Sequence, residues 1–145
     1  MDKKAFVKVL QEKMKMVRTE AGYTQDTMSD TIGLSKKTLV QIEKERILPN
    51  WTTCLAISAL FRDSQVLINT FGGDPLEIAQ QLSRGVSAYP DREFEGIYWE
   101  TLETKDNLLL KFNKKNSLYR VCGQQPRPYF TSIIEREAWT FFKNY

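Results

Sequence analysis

Four side chains that could bind an anion or a base edge lie in one short stretch of the sequence. They are Lys36, Lys37, Gln41 and Lys44. Positions 37, 41 and 44 would share one face of a helix, because they are four and three residues apart. A lysine can donate to O6 and N7 of guanine, and a glutamine can pair with N6 and N7 of adenine. Taken alone, lysines in this pattern more often mark a solvated helix face, and a helix that reads duplex DNA is the alternative that the surrounding elements must support.

Two short helices joined by a glycine turn would position these side chains. Thr24 can cap the first helix and Ser35 can cap the second. Gly33 lies between them and allows the positive φ that a sharp turn needs. Helix N-termini also present free N–H groups to phosphates, so Thr24, Gln25 and Ser35 are predicted to contact the DNA backbone.

Residues 10–61 resemble the phage-repressor-type helix-turn-helix family, also called the XRE family. The positions that match the family pattern in register are Arg18, Gly22, Thr24, Gln25, Met28, Ser29, Gly33, Leu34, Ser35, Thr38, Leu39, Ile42, Glu43 and Pro49. The resemblance covers about a third of the chain. It implies a five-helix, lambda-repressor-like domain whose recognition helix, residues 36–45, enters the major groove.

The resemblance also implies a role for each exposed side chain of this element. The residues expected at base edges are Lys36, Lys37 and Gln41. Those expected near the phosphate backbone are Thr38 and Lys44. Gln25 would contact a phosphate or a flanking base at the start of the second helix.

The family pattern also predicts one ion pair, and this chain departs from the pattern at two positions. Arg18 and Glu43 would form an inward ion pair that joins the first helix to the third, so they are not expected to contact DNA. Glu45 stands where the family usually has glycine, so the third helix is expected to continue or to end differently. Ser29 replaces the usual alanine, and its small side chain should fit.

Further helices are predicted on either side of this element. Apolar residues at helical spacing predict a first helix that ends at Gly22. A fourth helix should follow Pro49, and Asp63 is expected to cap a short fifth one. Asp74 and Pro75 are typical of the start of another helix.

The sequence pattern changes after residue 82. Residues 83–96 read as a linker or loop, and three β-like runs follow at 97–104, 108–114 and 118–122. Residues 129–133 could add an edge strand, and 134–144 have the pattern of a helix. The aromatic residues of these strands are expected in a core or a dimer contact. The alternative, a surface on which the bases of single-stranded nucleic acid stack, would need basic residues among the aromatic ones, whereas acidic residues occur there as well.

The predicted fold class is an all-α helix-turn-helix domain followed by a small α+β domain, a three- to four-stranded antiparallel meander plus a helix. The expected divisions are a DNA-binding domain at 1–72, a helix and linker at 73–96, and the small domain at 97–145. Residues 1–73 carry 11 basic and 8 acidic side chains, whereas 74–145 carry 10 of each. The excess positive charge therefore weakly supports an anionic partner for the first half alone.

Composition excludes several kinds of site. The chain has no histidine, which removes histidine metal ligands and histidine general bases. Cys54 and Cys122 lie far apart and are expected to be buried free thiols rather than a bridge. No phosphate-binding glycine loop or metal-ligand cluster is visible, so we expect no catalytic residue, no metal and no cofactor. No membrane-spanning run or signal peptide is visible, so a cytoplasmic location is predicted.

The sequence thus predicts a regulator of transcription, more often a repressor, that binds an operator in duplex DNA as a homodimer. One alternative is an antitoxin-like or adaptor protein that acts mainly through a protein partner, which co-purification of a second chain would favour. Another is a ligand-sensing regulator that binds an effector in its C-terminal domain, which thermal stabilisation by a metabolite would favour.

Overall fold

A computed structural model of the chain describes residues 1–88 and 93–145. It divides into two units, Met1–Ala88 and Tyr89–Tyr145. The first unit is helical and the second is a sheet with one helix, which confirms the predicted fold class. Within the described ranges, no helix is both long and apolar enough to cross a membrane.

Six α-helices make up the first unit. They are α1 (Lys3–Glu20), α2 (Gln25–Ile32), α3 (Lys36–Glu43), α4 (Trp51–Leu60), α5 (Gln65–Phe71) and α6 (Pro75–Arg84). Each begins after a residue whose side chain accepts a hydrogen bond from a backbone N–H of the first turn, which satisfies one donor of that turn. The predicted caps Thr24, Ser35 and Asp74 are confirmed. The prediction for α5 was wrong, because Ser64 rather than Asp63 caps it.

The turn between α2 and α3 depends on Gly33. This residue has a φ of 89°, in the left-handed region that glycine adopts without strain. Its N–H and that of Leu34 both donate to the carbonyl of Ser29, at 2.8 and 2.9 Å, which closes the end of α2. Leu34 then packs against the helical core, so the direction of α3 is set within three residues of the end of α2.

One hydrophobic core joins the six helices. Its buried residues are Phe6, Leu10, Met14, Val17, Met28, Leu39, Ile42, Cys54, Ile57, Phe61, Leu67 and Ala79. Ala79 belongs to α6, which the sequence analysis assigned to the segment 73–96 and which packs against α4 and α5. Cys54 is a free buried thiol, and desolvation raises its pKa to about 11. Cys122 is also free but only half-buried, so the expectation of burial holds for Cys54 alone.

A nearly buried carboxylate ties three helices together. Arg18 of α1 donates through Nε to Oε1 of Glu43 of α3 at 2.8 Å, which confirms the expected ion pair. The same arginine donates to the carbonyl of Tyr23 at 3.0 Å. Gln25 of α2 donates through Nε2 to the second oxygen of Glu43, also at 3.0 Å. The side chains of Arg18 and Glu43 are 15% and 4% exposed, so water is largely excluded from the pair.

The recognition helix ends earlier than predicted. α3 stops at Glu43 rather than at residue 45, because Glu45 adopts a left-handed conformation with a φ of 58°. The N–H of Glu45 donates to the carbonyl of Ile42 and that of Arg46 to the carbonyl of Gln41, both at 2.9 Å. These two hydrogen bonds form the Schellman motif, in which a helix usually ends at a glycine. Glu45 therefore takes the conformation of the glycine that it replaces.

The second unit is an antiparallel sheet covered by one helix. A 3₁₀ helix at Glu93–Tyr98 leads into β1 (Trp99–Lys105), β2 (Leu108–Asn113), β3 (Tyr119–Cys122), β4 (Phe130–Ser132) and α7 (Glu135–Asn144). The strands follow one another in the order β1-β2-β3-β4. α7 packs against β2, β3 and β4, and the core between them holds Leu108, Leu110, Val121, Ala138 and Phe142. Residues 97 and 98, predicted as strand, belong to the 3₁₀ helix.

Removing one partner of the Arg18–Glu43 pair should destabilise the helical unit. We expect Arg18→Met to lower the free energy of unfolding by about 3 kcal/mol, since it leaves the carboxylate of Glu43 buried without its cation. The matched control is the double variant Arg18→Met with Glu43→Leu, which removes both charges and should recover much of that loss. Urea unfolding followed by far-ultraviolet circular dichroism measures both. A cost for Arg18→Met alone of well under 1 kcal/mol would contradict a buried pair.

Replacing Glu45 by glycine should stabilise the same unit. The left-handed conformation destabilises a residue that has a Cβ by roughly 1–2 kcal/mol, and glycine avoids this cost. Glycine also raises the entropy of the unfolded chain, which offsets part of the resulting gain in stability. We therefore expect Glu45→Gly to raise the free energy of unfolding by up to about 1 kcal/mol. Glu45→Ala removes the same charge but keeps Cβ, so it should bring no gain. Equal effects of the two variants would assign the change to charge rather than to the backbone.

Candidate nucleic-acid interface

α3 has one face in the core and one face in solvent. Leu39 and Ile42 are buried, at 0% and 1% exposure. On the other side Lys36, Lys37 and Lys44 are exposed, and Gln41 is half-buried. Lys44 is the residue that caps the end of α3, so it lies just past the helical residues that carry the other three. The sequence therefore places three cations and one amide on the accessible side of a single helix.

The start of α3 is held by two hydroxyl groups. Oγ of Ser35 accepts from the backbone N–H of Thr38 at 3.1 Å and also bonds to the Thr38 hydroxyl at 2.8 Å. Ser35 is exposed and Thr38 half-buried, so both predicted contact residues lie at the accessible N-terminal end of the helix. The remaining N–H groups of this first turn point out of the helix start, the arrangement that suits a phosphate oxygen.

Lys36 already has an anionic neighbour. Its Nζ lies 3.3 Å from Oδ2 of Asp26 in the first turn of α2. The two side chains are 55% and 71% exposed, so solvent screens the pair and its contribution to stability is small. A phosphate or a base edge could displace Asp26 from Lys36 at little cost.

The start of α2 carries the remaining predicted contact, Gln25. Thr24 caps this helix by accepting from the N–H of Thr27 at 3.1 Å. Gln25 follows as the first helical residue and donates to Glu43 of α3. Its Nε2 carries two hydrogens, and the bond to Glu43 uses one. The side chain is half-buried and held in one orientation, so α2 presents an amide of defined direction beside α3.

The far end of α3 borders a negatively charged surface. A cavity of about 590 Å³ beside α1 is lined by Glu12, Lys15, Glu20, Glu43 and Glu45, among others. We call this region the acidic hollow. It lies at the C-terminal end of α3, whereas Lys36 and Lys37 lie at its N-terminal end. The carboxylates make the C-terminal end of α3 less favourable for a polyanion than the N-terminal end, and Lys44 is the cation of α3 at that C-terminal end.

Sequence reasoning missed three features of this interface. These are the Gln25–Glu43 bond, the Lys36–Asp26 pair and the acidic hollow. The first two join residues 18 and 10 positions apart, on different helices. No local spacing signals such contacts, because they depend on how α2 crosses α3. No cluster of three or more potential metal ligands occurs within the described parts of the chain.

Comparison with known proteins supports the N-terminal half of this description. A family model described as Helix-turn-helix (HTH_3) matches residues 14–62. The match begins within α1 and ends just beyond α4, so it contains the whole α2–turn–α3 element. It covers about a third of the chain and ends before α5. Searches of curated proteins and of solved structures each found no match.

The matched family consists of DNA-binding regulators, and the matched segment is the one in which the two helices, the glycine turn and the exposed lysine face occur. The family match and the geometry thus agree on the same residues. The N-terminal unit carries a helix-turn-helix domain of the phage-repressor (XRE) type, the domain of a DNA-binding transcriptional regulator.

Proposed function

We propose that this protein is a homodimeric repressor that inserts α3 into the major groove of a two-fold symmetric operator. The observation that carries the proposal is the accessible face of α3, where Lys36, Lys37 and Gln41 stand opposite the buried Leu39 and Ile42. In this docking the three polar side chains reach base edges. Lysine favours guanine and glutamine favours adenine, by the hydrogen bonds that each can form.

The same docking gives the phosphate backbone several partners. Ser35 and Thr38 at the start of α3 would contact one phosphate through their hydroxyl and backbone N–H groups, and Lys44 would contact another. Gln25 would use the second hydrogen of its amide on a flanking phosphate. Its bond to Glu43 fixes the amide beforehand, so binding costs little side-chain entropy.

The charge distribution favours one orientation on the DNA. The carboxylates of the acidic hollow repel phosphates beside the C-terminal end of α3, where Lys44 is the proposed phosphate contact, while Lys36 and Lys37 attract them at the N-terminal end. The helix therefore enters the groove with its start towards the bases, as recognition helices of this kind do. Glu45 is kept outside the groove in this arrangement.

We propose dimerisation because one recognition helix reads few base pairs, and repression because it needs only that the DNA be occupied. A single recognition helix reads only a few base pairs, which is too few for a unique site in a genome. Two copies related by a two-fold axis read two half-sites about one helical turn apart. Occupying DNA is enough to exclude a polymerase from an overlapping promoter, whereas activation requires a further protein contact, so we propose repression.

Selection from a random pool of duplex DNA at near-physiological salt tests the proposal. We expect an enriched two-fold symmetric sequence whose log affinity falls linearly with log salt concentration, because bound lysines release counterions. The duplex should be bound by two copies of the chain. Absence of any enriched sequence, or weak binding to all duplexes alike, would contradict a sequence-specific regulator.

Two substitutions should separate base reading from phosphate binding. Gln41→Ala should reduce the preference for one base pair in each half-site by about 1–3 kcal/mol. Lys44→Ala should weaken binding to all sequences alike and reduce the salt slope by about 1 for each bound copy. Lys15→Ala, which removes the same charge from the acidic hollow, is the control and should not weaken binding. Fluorescence anisotropy on the selected duplex and its single-base variants gives all three results.

An unchanged base preference in Gln41→Ala would remove Gln41 from the reading face. A loss in Lys15→Ala equal to that in Lys44→Ala would mean that only net charge matters.

A further inference from the structure

An open groove runs between β4 and α7 in the second unit. It encloses about 560 Å³ and is lined by aromatic rings with a few polar side chains. Phe130 of β4 stacks on Phe141 of α7 with ring centroids 4.7 Å apart, and Phe141 lies 5.7 Å from the ring of Tyr145. These three rings form an apolar floor that reaches solvent. We call this feature the aromatic groove.

The turn that connects the two elements bordering the aromatic groove carries an exposed apolar side chain, which we call the projection. Ile133 occupies the turn between β4 and α7 and is 76% exposed. Ser132 holds this turn, because its Oγ accepts from the N–H of Ile134 at 2.9 Å and donates to Oε2 of Glu137 at 3.2 Å. Ile133 is therefore presented on a fixed turn, and ordering it on binding costs little entropy.

The polar residues of the aromatic groove carry no net charge. Arg136 and Glu137 contribute one charge of each sign, and Thr140 is neutral. A nucleic acid would need a positive surface, which this groove does not offer. A second copy of the same surface meets no net repulsion, and each copy offers both a projection and a groove. A two-fold contact requires this kind of self-complementary patch.

We infer that the aromatic groove and Ile133 form the homodimer interface, with Ile133 of each copy seated in the groove of the other. The inference rests on the proposed function, because the reading of two half-sites is what calls for a dimer. It goes further by assigning the contact to the second unit.

The opposite edge of the sheet is a poorer candidate for self-association. Strand β1 carries Glu100, Glu103 and Lys105, and its pairing register with β2 shifts between Thr101 and Glu103. Charged side chains and irregular register are features that keep an edge strand from pairing with another copy. The lysine face of α3 is excluded as well, since two like-charged faces repel.

Sedimentation velocity of the full chain without DNA, over a range of protein concentrations, tests this interface. We expect the wild type to dimerise, and Ile133→Asp and Thr140→Lys each to raise the dimer dissociation constant at least tenfold. One variant places a charge on the projection and the other places one in the groove. Ile97→Asp is the matched control, because Ile97 is a comparably exposed isoleucine of the same unit, at 73%, that does not line the groove. It should leave the dissociation constant unchanged.

Three results would overturn the inference. A wild-type chain that stays monomeric at all concentrations would do so, as would a dimer that either Ile133→Asp or Thr140→Lys leaves intact. Equal weakening by Ile97→Asp would also do so, since it would assign the effect to charge alone. Circular dichroism of each variant confirms that the fold is kept.

A DNA measurement separates the failure of the interface from the failure of the proposed function. Binding to a single half-site duplex does not require the dimer. We expect Ile133→Asp to keep half-site affinity and to lose the additional affinity that the full two-fold site gives the wild type. A dimer defect with half-site binding intact supports the interface. If the wild type dimerises but binds no duplex, the proposed function fails while the interface stands.

Discussion

The carboxylate of Glu43 is the group on which the arrangement of the DNA-binding element depends. It is almost fully removed from water, so it must be matched by partners inside the protein. Arg18 provides the charge from α1, and Gln25 provides a hydrogen bond from α2. Because each partner comes from a different helix, α3 can keep both bonds only in one position relative to the other two. The same contact orients Gln25, so a structural ion pair also positions a residue of the proposed interface.

The features that sequence could predict are those encoded locally. Gly33 needs no distant partner to close a turn, and Thr24, Ser35 and Asp74 cap helices through N–H groups two or three residues away. The Arg18–Glu43 pair spans 25 positions, and only the resemblance to a known family made it visible. The length of α3 was overestimated, since Glu45 adopts a conformation that its residue type disfavours.

Less of the second unit could be predicted from its local sequence. The sequence predicted strands and a final helix, and both are present. The aromatic groove lies between β4 and α7. The sequence left open whether the aromatic residues of the strands lie in a core or in a dimer contact. Which aromatic residues are buried and which line an open surface depends on how the helix lies across the sheet. That crossing is set by tertiary packing and has no local signature.

The central claim is that the start of α3 lies in the major groove of the DNA. Methylation interference on the selected operator tests it most directly, because methylation of guanine N7 blocks the major groove and methylation of adenine N3 blocks the minor groove. The account predicts that guanine N7 methylation prevents binding at two patches about one helical turn apart, and that Gln41→Ala leaves both patches in place. Interference confined to adenine N3, or a single patch, would contradict it.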